Sequence, residues 1–275
     1  MPELPEVETI RRQLVGDLLG RRVISAWGFD SPKFADAPLA TGGRIKALRR
    51  RGKYLLADLE RDGERLELVV HLGMTGRLAV DPVRSDEVDD PRRLAKHLRA
   101  RFELDDAMHL GFWDQRRFGR IAVVAAGCHE SMPTLAALGP EPFSEEFTPG
   151  SLRSALSGRK AIKTALLDQR VVAGVGNIYA DEALWLARIS PTARRLGSAR
   201  AEDLHGAVIE VLTAGLDDGG TTLRDYRDAT GDPGSHQERL RCYGRAGLPC
   251  DRCGGPLSRK VIDGRGTTWC TGCQT

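Results

Sequence analysis

The sequence predicts an α+β multidomain protein: an N-terminal antiparallel β-sandwich led by one helix, an all-helical domain, and a compact cysteine-rich unit at the C-terminus. Three observations carry this prediction. Val7, Ile10, Leu14 and Leu18 recur at helical spacing. Residues 22–130 then change to a period of two, as in Leu66, Leu68 and Val70 and in Leu98, Ala100, Phe102 and Leu104. Beyond Gly127–Pro133 the apolar spacing is helical again, and the last 26 residues hold four of the six cysteines.

The opening Met1-Pro2-Glu3-Leu4-Pro5-Glu6-Val7-Glu8-Thr9 suits the first turn of a helix. Proline is preorganised for that turn, carboxylates complement the helix dipole, and Gly20 is the expected stop. The same stretch carries chemistry. Pro2 has a small side chain, so removal of Met1 is expected, and it exposes a secondary amine. An α-amino group has a pKa of roughly 8, against about 10.4 for lysine. A useful fraction is then neutral near pH 7 and able to attack a carbonyl-like carbon, giving a Schiff base. Glu3, beside it, is placed to move protons. The two readings are compatible, because a helix can hold its own N-terminus in place.

Strands are expected through residue 130, with Asp105-Asp106 as a turn and Ile121–Ala126 as a short buried run. Residues 81–95 are too charged for a core and read as a surface loop. Helical patterns follow at Leu152–Leu156, Ile162–Leu167, Ile178–Ile189 and Ala201–Leu216, punctuated by Pro140, Pro142, Pro149 and Pro191. Residues 217–237 are polar and glycine-rich, which suggests a mobile loop. The expected divisions are 1–130 for the sandwich, 131–220 for the helical domain, 221–238 for the mobile loop and 239–275 for the cysteine-rich unit, with Gly127–Pro133 as a hinge.

With 41% hydrophobic residues in 275, the chain has material for real cores. No run approaches the length of a membrane span, and the start is too acidic and polar for a signal peptide. A cytoplasmic setting with reduced thiols is expected. Net charge is only +3, but residues 237–275 carry seven Lys or Arg against three Asp or Glu, and Arg44–Lys53 holds six basic residues in ten. Such clusters are the footprint of phosphate contacts, although a solvated charged face is the commoner cause of any one run.

Cys250-x2-Cys253 and Cys270-x2-Cys273 are separated by sixteen residues. That is the spacing of a four-thiolate structural Zn2+ site. The segment is too short to hold a core alone, so metal binding supplies its folding energy. Cys128 and Cys242 lie outside the pattern and read as buried or idle thiols. Gly264 and Gly266 flank Arg265, and a short hairpin with Arg265 at its tip pushes one guanidinium into a facing groove.

The opening stretch, this cysteine unit and the preceding Tyr243-Gly244-Arg245 together resemble the formamidopyrimidine-DNA glycosylases, which excise oxidised purines. Four internal stretches strengthen the resemblance: Arg50-Arg51-Gly52-Lys53-Tyr54-Leu55, His71-Leu72-Gly73-Met74-Thr75-Gly76, Asp114-Gln115-Arg116-Arg117-Phe118-Gly119, and Leu167-Asp168-Gln169 through Gly174-Val175-Gly176-Asn177-Ile178-Tyr179-Ala180. The motifs span nearly the whole chain in order. The resemblance implies that the helical domain is a helix–two-turn–helix element and that the mobile loop caps the lesion. It implies Pro2, Glu3, Lys53 and Arg265 as catalytic residues, and one structural zinc on the four cysteines. His71, Met74, His97, Arg116, Phe118, Arg159, Lys163, Asn177 and Tyr243 become DNA contacts. Met74 and Phe118 act as wedges that fill the stack when a base is extruded, and Arg116 meets the orphaned partner base. Asn177 adds a donor at a helix start able to hold a phosphate; a plain N-cap is its alternative.

The resemblance further implies a monomeric bifunctional glycosylase and AP lyase of base excision repair, acting on damaged duplex DNA in the cytoplasm and nucleoid and away from membranes. The chain departs from the family pattern at Ser235-His236-Gln237, where aromatics usually follow the Pro-Gly, at Gln115 in place of a proline, and at Arg159 in place of a lysine. The first departure bears on lesion preference. Three alternatives share features with this chain: the endonuclease VIII type, which prefers oxidised pyrimidines, a non-catalytic damage-binding paralogue, and a zinc-ribbon protein that binds nucleic acid structurally. Leu4 and the Met74, Arg116 and Phe118 set favour the purine enzyme.

Overall fold

The computed structural model describes residues 1–82, 96–156, 158 and 160–275. Arg159 and nearly all of the charged stretch expected as a surface loop lie outside the described residues. The chain forms two compact units. The first takes Met1–Leu135 and Gly219–Gly234, and the second takes Ala136–Asp218 and Ser235–Thr275. Both ends of the stretch 219–234 therefore join the second unit in sequence, and the stretch itself belongs to the first.

The first unit begins with α1 (Leu4–Leu18), whose apolar stripe of Val7, Ile10, Leu14 and Leu18 is buried. Gly20, with φ of +83°, follows its end. Among the described residues eight strands follow: β1 (Val23–Gly28), β2 (Arg44–Arg51), β3 (Tyr54–Arg61), β4 (Glu64–His71), β5 (Gly76–Pro82), β6 (Leu98–Leu104), β7 (Met108–Asp114) and β8 (Arg120–Ala125). They make two four-stranded sheets in the orders β1-β6-β7-β5 and β2-β3-β4-β8, and every pairing is antiparallel. Leu55, Ala57, Leu59, Leu68 and Val70 from one sheet and Ala100, Phe102, Leu110 and Phe112 from the other share one core with the stripe of α1. This is the expected sandwich with its leading helix. Burying such side chains stabilises by about 2 kcal/mol each. Tyr226 joins this core from the 219–234 stretch. Gln13 of α1 fastens the same stretch, donating to Asp228 Oδ2 at 2.7 Å and accepting from Ala229 N at 3.0 Å.

Two connections in this unit are tightly specified. Arg51 pairs with Tyr54 across a two-residue turn of Gly52 and Lys53, with Gly52 at φ +56°. Between β4 and β5, Gly73 has φ of +65°, and a Cβ there would run into the backbone of Phe118 and Gly119. The loops carrying Met74 and Phe118 are therefore in backbone contact. Asp114, fully buried, ties them further. It accepts from Thr75 Oγ1 at 2.5 Å, Gly119 N at 2.7 Å and Arg116 N at 3.2 Å.

The second unit contains α2 (Pro149–Ala155), α3 (Ile162–Leu166), α4 (Asn177–Leu186) and α5 (Ser198–Asp217), then the ribbon of β9 (Ser258–Ile262) and β10 (Arg265–Trp269). Thr148 and Ser151 cap the start of α2 reciprocally. The helix α4 is buried nearly all round, and Tyr179 packs where Gly215 of α5 leaves no room for a side chain. Among the described residues no helix is long and apolar enough to cross a membrane.

Asp114→Ala removes the acceptor of Thr75 Oγ1 and Gly119 N, while Arg116 N keeps Thr75 Oγ1 at 3.2 Å. We expect it to cost about 3 kcal/mol, measured by denaturant unfolding, with greater protease sensitivity in both loops; unchanged stability would contradict the bracing role.

Candidate functional site

The start of α1 is fixed by two carboxylates. Glu3 is the N-cap, and its side chain accepts from the Glu6 backbone while the Glu6 side chain reaches back to Glu3 N at 2.7 Å. This is a capping box built from two glutamates. Glu3 and Glu6 are 2% and 1% exposed. Pro2 is buried, whereas Met1 is exposed. The second oxygen of Glu6 accepts from Thr221 N at 2.7 Å, and Tyr226 Oη donates to the Glu6 carbonyl at 3.4 Å. Gly220, with φ of +89°, passes so close that a Cβ would lie 2.8 Å from Glu6 Cγ. One side chain thus fixes the backbone next to Pro2 and the backbone of the 219–234 stretch.

Lys53, buried at the β2–β3 turn, is close enough to influence His71, which stands opposite Tyr54 with ring centroids 4.7 Å apart. Burial first, then the Lys53 charge, push His71 down to about 4, with Asp114 pulling the other way. His71 is therefore neutral at pH 7 and accepts from Gly73 N at 3.3 Å. Met74 and Phe118 are 37% and 48% exposed, so neither is a core residue. The Arg116 guanidinium stands 4.7 Å from the Phe118 ring centre. His97, with φ of +79°, accepts from Asp114 N through its carbonyl at 2.8 Å. The first unit thus gathers Pro2, Glu3, Lys53, His71, Met74, His97, Arg116 and Phe118.

Arg265, Lys163, Asn177 and Tyr243 belong to the second unit. The turn between β9 and β10 is Asp263-Gly264, both with positive φ, as a two-residue hairpin of this kind requires. Arg265 is exposed and follows this tip as the first residue of β10; the tip itself is Asp263-Gly264, because only those two residues adopt the turn conformation. Lys163 is not the surface cation expected from its residue type. It is 1% exposed, and its Nζ lies 2.6 Å from Asp181, 2.8 Å from Thr267 Oγ1 and 3.0 Å from Gly266 O. Asn177 is not an N-cap, since Gly176 holds that position, and its amide donates to Gly266 O at 3.1 Å. Gln169 braces the preceding turn, accepting from Gly174 N and donating to Val175 O. Tyr243 N donates to Glu182 at 2.7 Å, and Arg241 N and Cys242 N donate to the same carboxylate. His236 does not present a free ring: it stacks on Tyr179 at 5.5 Å and pairs with Asp218 at 2.9 Å.

The Sγ atoms of Cys250, Cys253, Cys270 and Cys273 lie within 4.8 Å of one another. A tetrahedral Zn2+ with bonds of about 2.3 Å places its sulfurs roughly 3.8 Å apart, so the donor set fits one structural zinc. Its surroundings fasten it to α4. Trp185 Nε1 donates to Cys250 Sγ at 3.5 Å, and the Arg252 guanidinium lies 4.0 Å from the Trp185 ring centre and donates to the carbonyls of Trp185 and Leu186. Gln274 accepts from Cys270 N and donates to Ile189 O. Cys242 is a buried thiol outside the cluster, donating to Thr268 O at 2.9 Å, and Cys128 is exposed.

Sequence reasoning missed the buried carboxylates Glu6, Asp114, Asp181 and Glu182. A signal existed for Glu6, since carboxylates at Glu3 and Glu6 have capping-box spacing ahead of an apolar run. Zinc removal tests the metal centre. Chelation is expected to leave the sheets of the first unit folded while residues 245–275 become open to proteolysis; a chelated protein protected there as before would exclude a structural metal.

Comparison with known proteins places these features in one lineage. Residues 1–121 match the formamidopyrimidine-DNA glycosylase N-terminal domain, 138–227 its H2TH domain, and 247–275 the zinc finger found in FPG and IleRS. Formamidopyrimidine-DNA glycosylase of Thermus thermophilus is 46% identical, with 100% of this chain and 98% of that protein covered. The Deinococcus radiodurans protein of that name is 43% identical over 100% and 97%. The crystal structure of MutM (Fpg) from Thermus thermophilus superposes with a TM-score of 0.88 at 45% identity, covering 99% and 98% of the two chains. Lactococcus lactis Fpg in complex with an abasic-site-containing DNA superposes with a TM-score of 0.85 at 34% identity, covering 99% of each. The chain belongs to the formamidopyrimidine-DNA glycosylase family.

Proposed function

We propose that this protein is a bifunctional DNA glycosylase and AP lyase of base excision repair. It removes oxidised purines, 8-oxoguanine and formamidopyrimidines, from duplex DNA in the cytoplasm and nucleoid. The observation that carries this reading is the buried Pro2-Glu3 start held by the Glu3–Glu6 reciprocal cap, in a chain related over its full length to proteins named for this activity. A mutant of Lactococcus lactis Fpg has been crystallised in complex with a Fapy-dG-containing DNA, at 34% identity and a TM-score of 0.86.

The chemistry begins once cleavage of the Met1–Pro2 bond exposes the Pro2 amine. Its lone pair attacks C1′ of the sugar as the base departs, the amine loses its proton, and the C1′–O4′ bond then opens with Glu3 passing a proton to O4′, which leaves C1′ doubly bonded to the proline nitrogen. The cationic Schiff base acidifies the C2′ hydrogen, so β-elimination expels the 3′ phosphate and a second elimination expels the 5′ phosphate. Lys53 is the cation for this chemistry in the first unit. Arg265 contributes phosphate electrostatics more than proton transfer, because a guanidinium stays protonated at neutral pH. Met74 and Phe118 wedge the stack, Arg116 meets the partner base, and His71, His97, Arg159, Asn177 and Tyr243 contribute backbone contacts. The zinc of the four cysteines is structural and holds the β9–β10 hairpin in shape.

Borohydride trapping tests this directly. Met1-processed protein with a duplex holding one 8-oxoguanine opposite cytosine is expected to give a reduced covalent complex mapping to Pro2, and protein that retains Met1 gives none. Normal strand cleavage by the Met1-retaining form would falsify the amine mechanism. Trapping only on oxidised pyrimidine moves the chain to the endonuclease VIII type, and tight binding with no adduct marks a damage-binding paralogue.

A further inference from the structure

The least expected feature of the second unit is the burial of Lys163 against Asp181. Each side chain is 1% exposed, and their charged atoms lie 2.6 Å apart. The pair does not stand alone. Lys163 Nζ also donates to Gly266 O at 3.0 Å and Thr267 Oγ1 at 2.8 Å, and Asp181 Oδ2 accepts from Thr268 N at 2.9 Å. Three consecutive residues of β10, immediately after Arg265, are therefore gripped by one ion pair rooted in α3 and α4. Asn177 Nδ2 adds a second donor to Gly266 O at 3.1 Å, and Thr164 Oγ1 donates to Asp263 at the hairpin tip at 2.5 Å.

Stability is a poor reason for this arrangement. Taking two charges out of water costs more than most pairs recover, and an apolar pair of similar volume is often as stable or more so. Burial indeed pushes the Asp181 carboxyl up, with Lys163 opposing that shift. Charges supply something an apolar pair lacks. Their contacts are directional, so β10 has one register and one height along α4, whereas an apolar contact tolerates sliding.

We propose that Asp181 and Lys163 are positioning residues for Arg265: the buried pair sets the register of β10, and through it the place at which the Arg265 guanidinium is presented to the nucleic acid. The proposal rests on the proposed function, in which Arg265 meets the sugar-phosphate backbone at the lesion. It assigns Lys163 an indirect role in place of a direct DNA contact, and gives Asp181 a role that residue type alone does not announce.

The test uses full-length, zinc-loaded protein and a duplex with a preformed abasic site, read as single-turnover strand cleavage at saturating protein. Three proteins are compared with the unaltered one: Arg265→Ala, the apolar pair Lys163→Met with Asp181→Leu, and the combination of all three changes. The apolar pair leaves Thr268 N without its acceptor and is expected to melt somewhat lower, yet to keep one zinc per chain and, assayed well below its melting temperature, to cleave roughly 10- to 100-fold more slowly, as displacement of a group by about an ångström implies. Arg265→Ala is expected to be slow, and adding it to the apolar pair to cause little further loss, because a misplaced Arg265 has little left to contribute. If the apolar pair loses zinc, Asp181→Asn combined with Lys163→Met carries the same comparison, since the asparagine keeps an acceptor for Thr268 N and no buried ammonium is left unpaired.

A zinc-replete apolar pair that cleaves at the unaltered rate beside a slow Arg265→Ala overturns the positioning proposal alone. Losses that multiply in the combined protein overturn it as well. Arg265→Ala at the unaltered rate overturns it together with the reading on which it rests.

Discussion

The carboxylate of Glu6 is the constraint on which the rest of the first unit depends. Its two oxygens do different things. One accepts from Glu3 N and so fixes the backbone beside Pro2. The other accepts from Thr221 N and so fixes the 219–234 stretch where that stretch passes the helix start. An N-terminus is ordinarily among the loosest parts of a chain. Here Pro2 and Glu3 are buried, and they lead into a capped helix whose stripe enters the main core. A nucleophile made from a backbone amine has no side-chain rotamers to explore, so its precision is that of the helix bearing it.

The same device recurs around Asp114, Glu182 and Asp181. Asp114 collects donors from the two loops that carry Met74 and Arg116–Phe118. Glu182 collects three successive amides ahead of the zinc unit, and Asp181 holds Thr268 N in the Arg265 hairpin. Directed hydrogen bonds recover only part of the desolvation: burial still holds the carboxyls of Asp181 and Glu182 above the usual carboxylate range, and each buried carboxylate would be costly to leave half-satisfied. The exposed groups that would touch DNA, Met74, Arg116, Phe118 and Arg265, are thus set on backbone that is over-determined behind them.

Much of this is legible in the sequence, for identifiable reasons. The period of Val7, Ile10, Leu14 and Leu18 marks α1, alternation marks β4 and β6, and paired Cys-x2-Cys motifs mark the metal centre, because each signal is local. What escapes is non-local. Nothing near residues 219–234 reveals that they join the first unit, since the partners of Asp228 and Tyr226 lie more than two hundred residues earlier. Lys163 departs from expectation because lysine is almost always solvated, and its partner Asp181 gives no pattern of its own. Asn177 reads as a helix cap or a phosphate ligand, yet its amide is given to Gly266 O. His236 reads as a chemical departure, but its ring takes a buried stacking position on Tyr179.

The most direct test is the rate of Schiff-base formation in Glu6→Gln. The glutamine is isosteric but has one acceptor oxygen, so it cannot serve both Glu3 N and Thr221 N, and its NH2 opposes one of them. The rate is read by borohydride capture on a preformed abasic site at saturating Met1-processed protein. A fall of roughly 10-fold or more is expected, since a misplaced nucleophile loses its proximity advantage, while affinity for the duplex is retained. A Glu6→Gln protein that forms the adduct at the unaltered rate would contradict the claim that this carboxylate holds the reacting end in place.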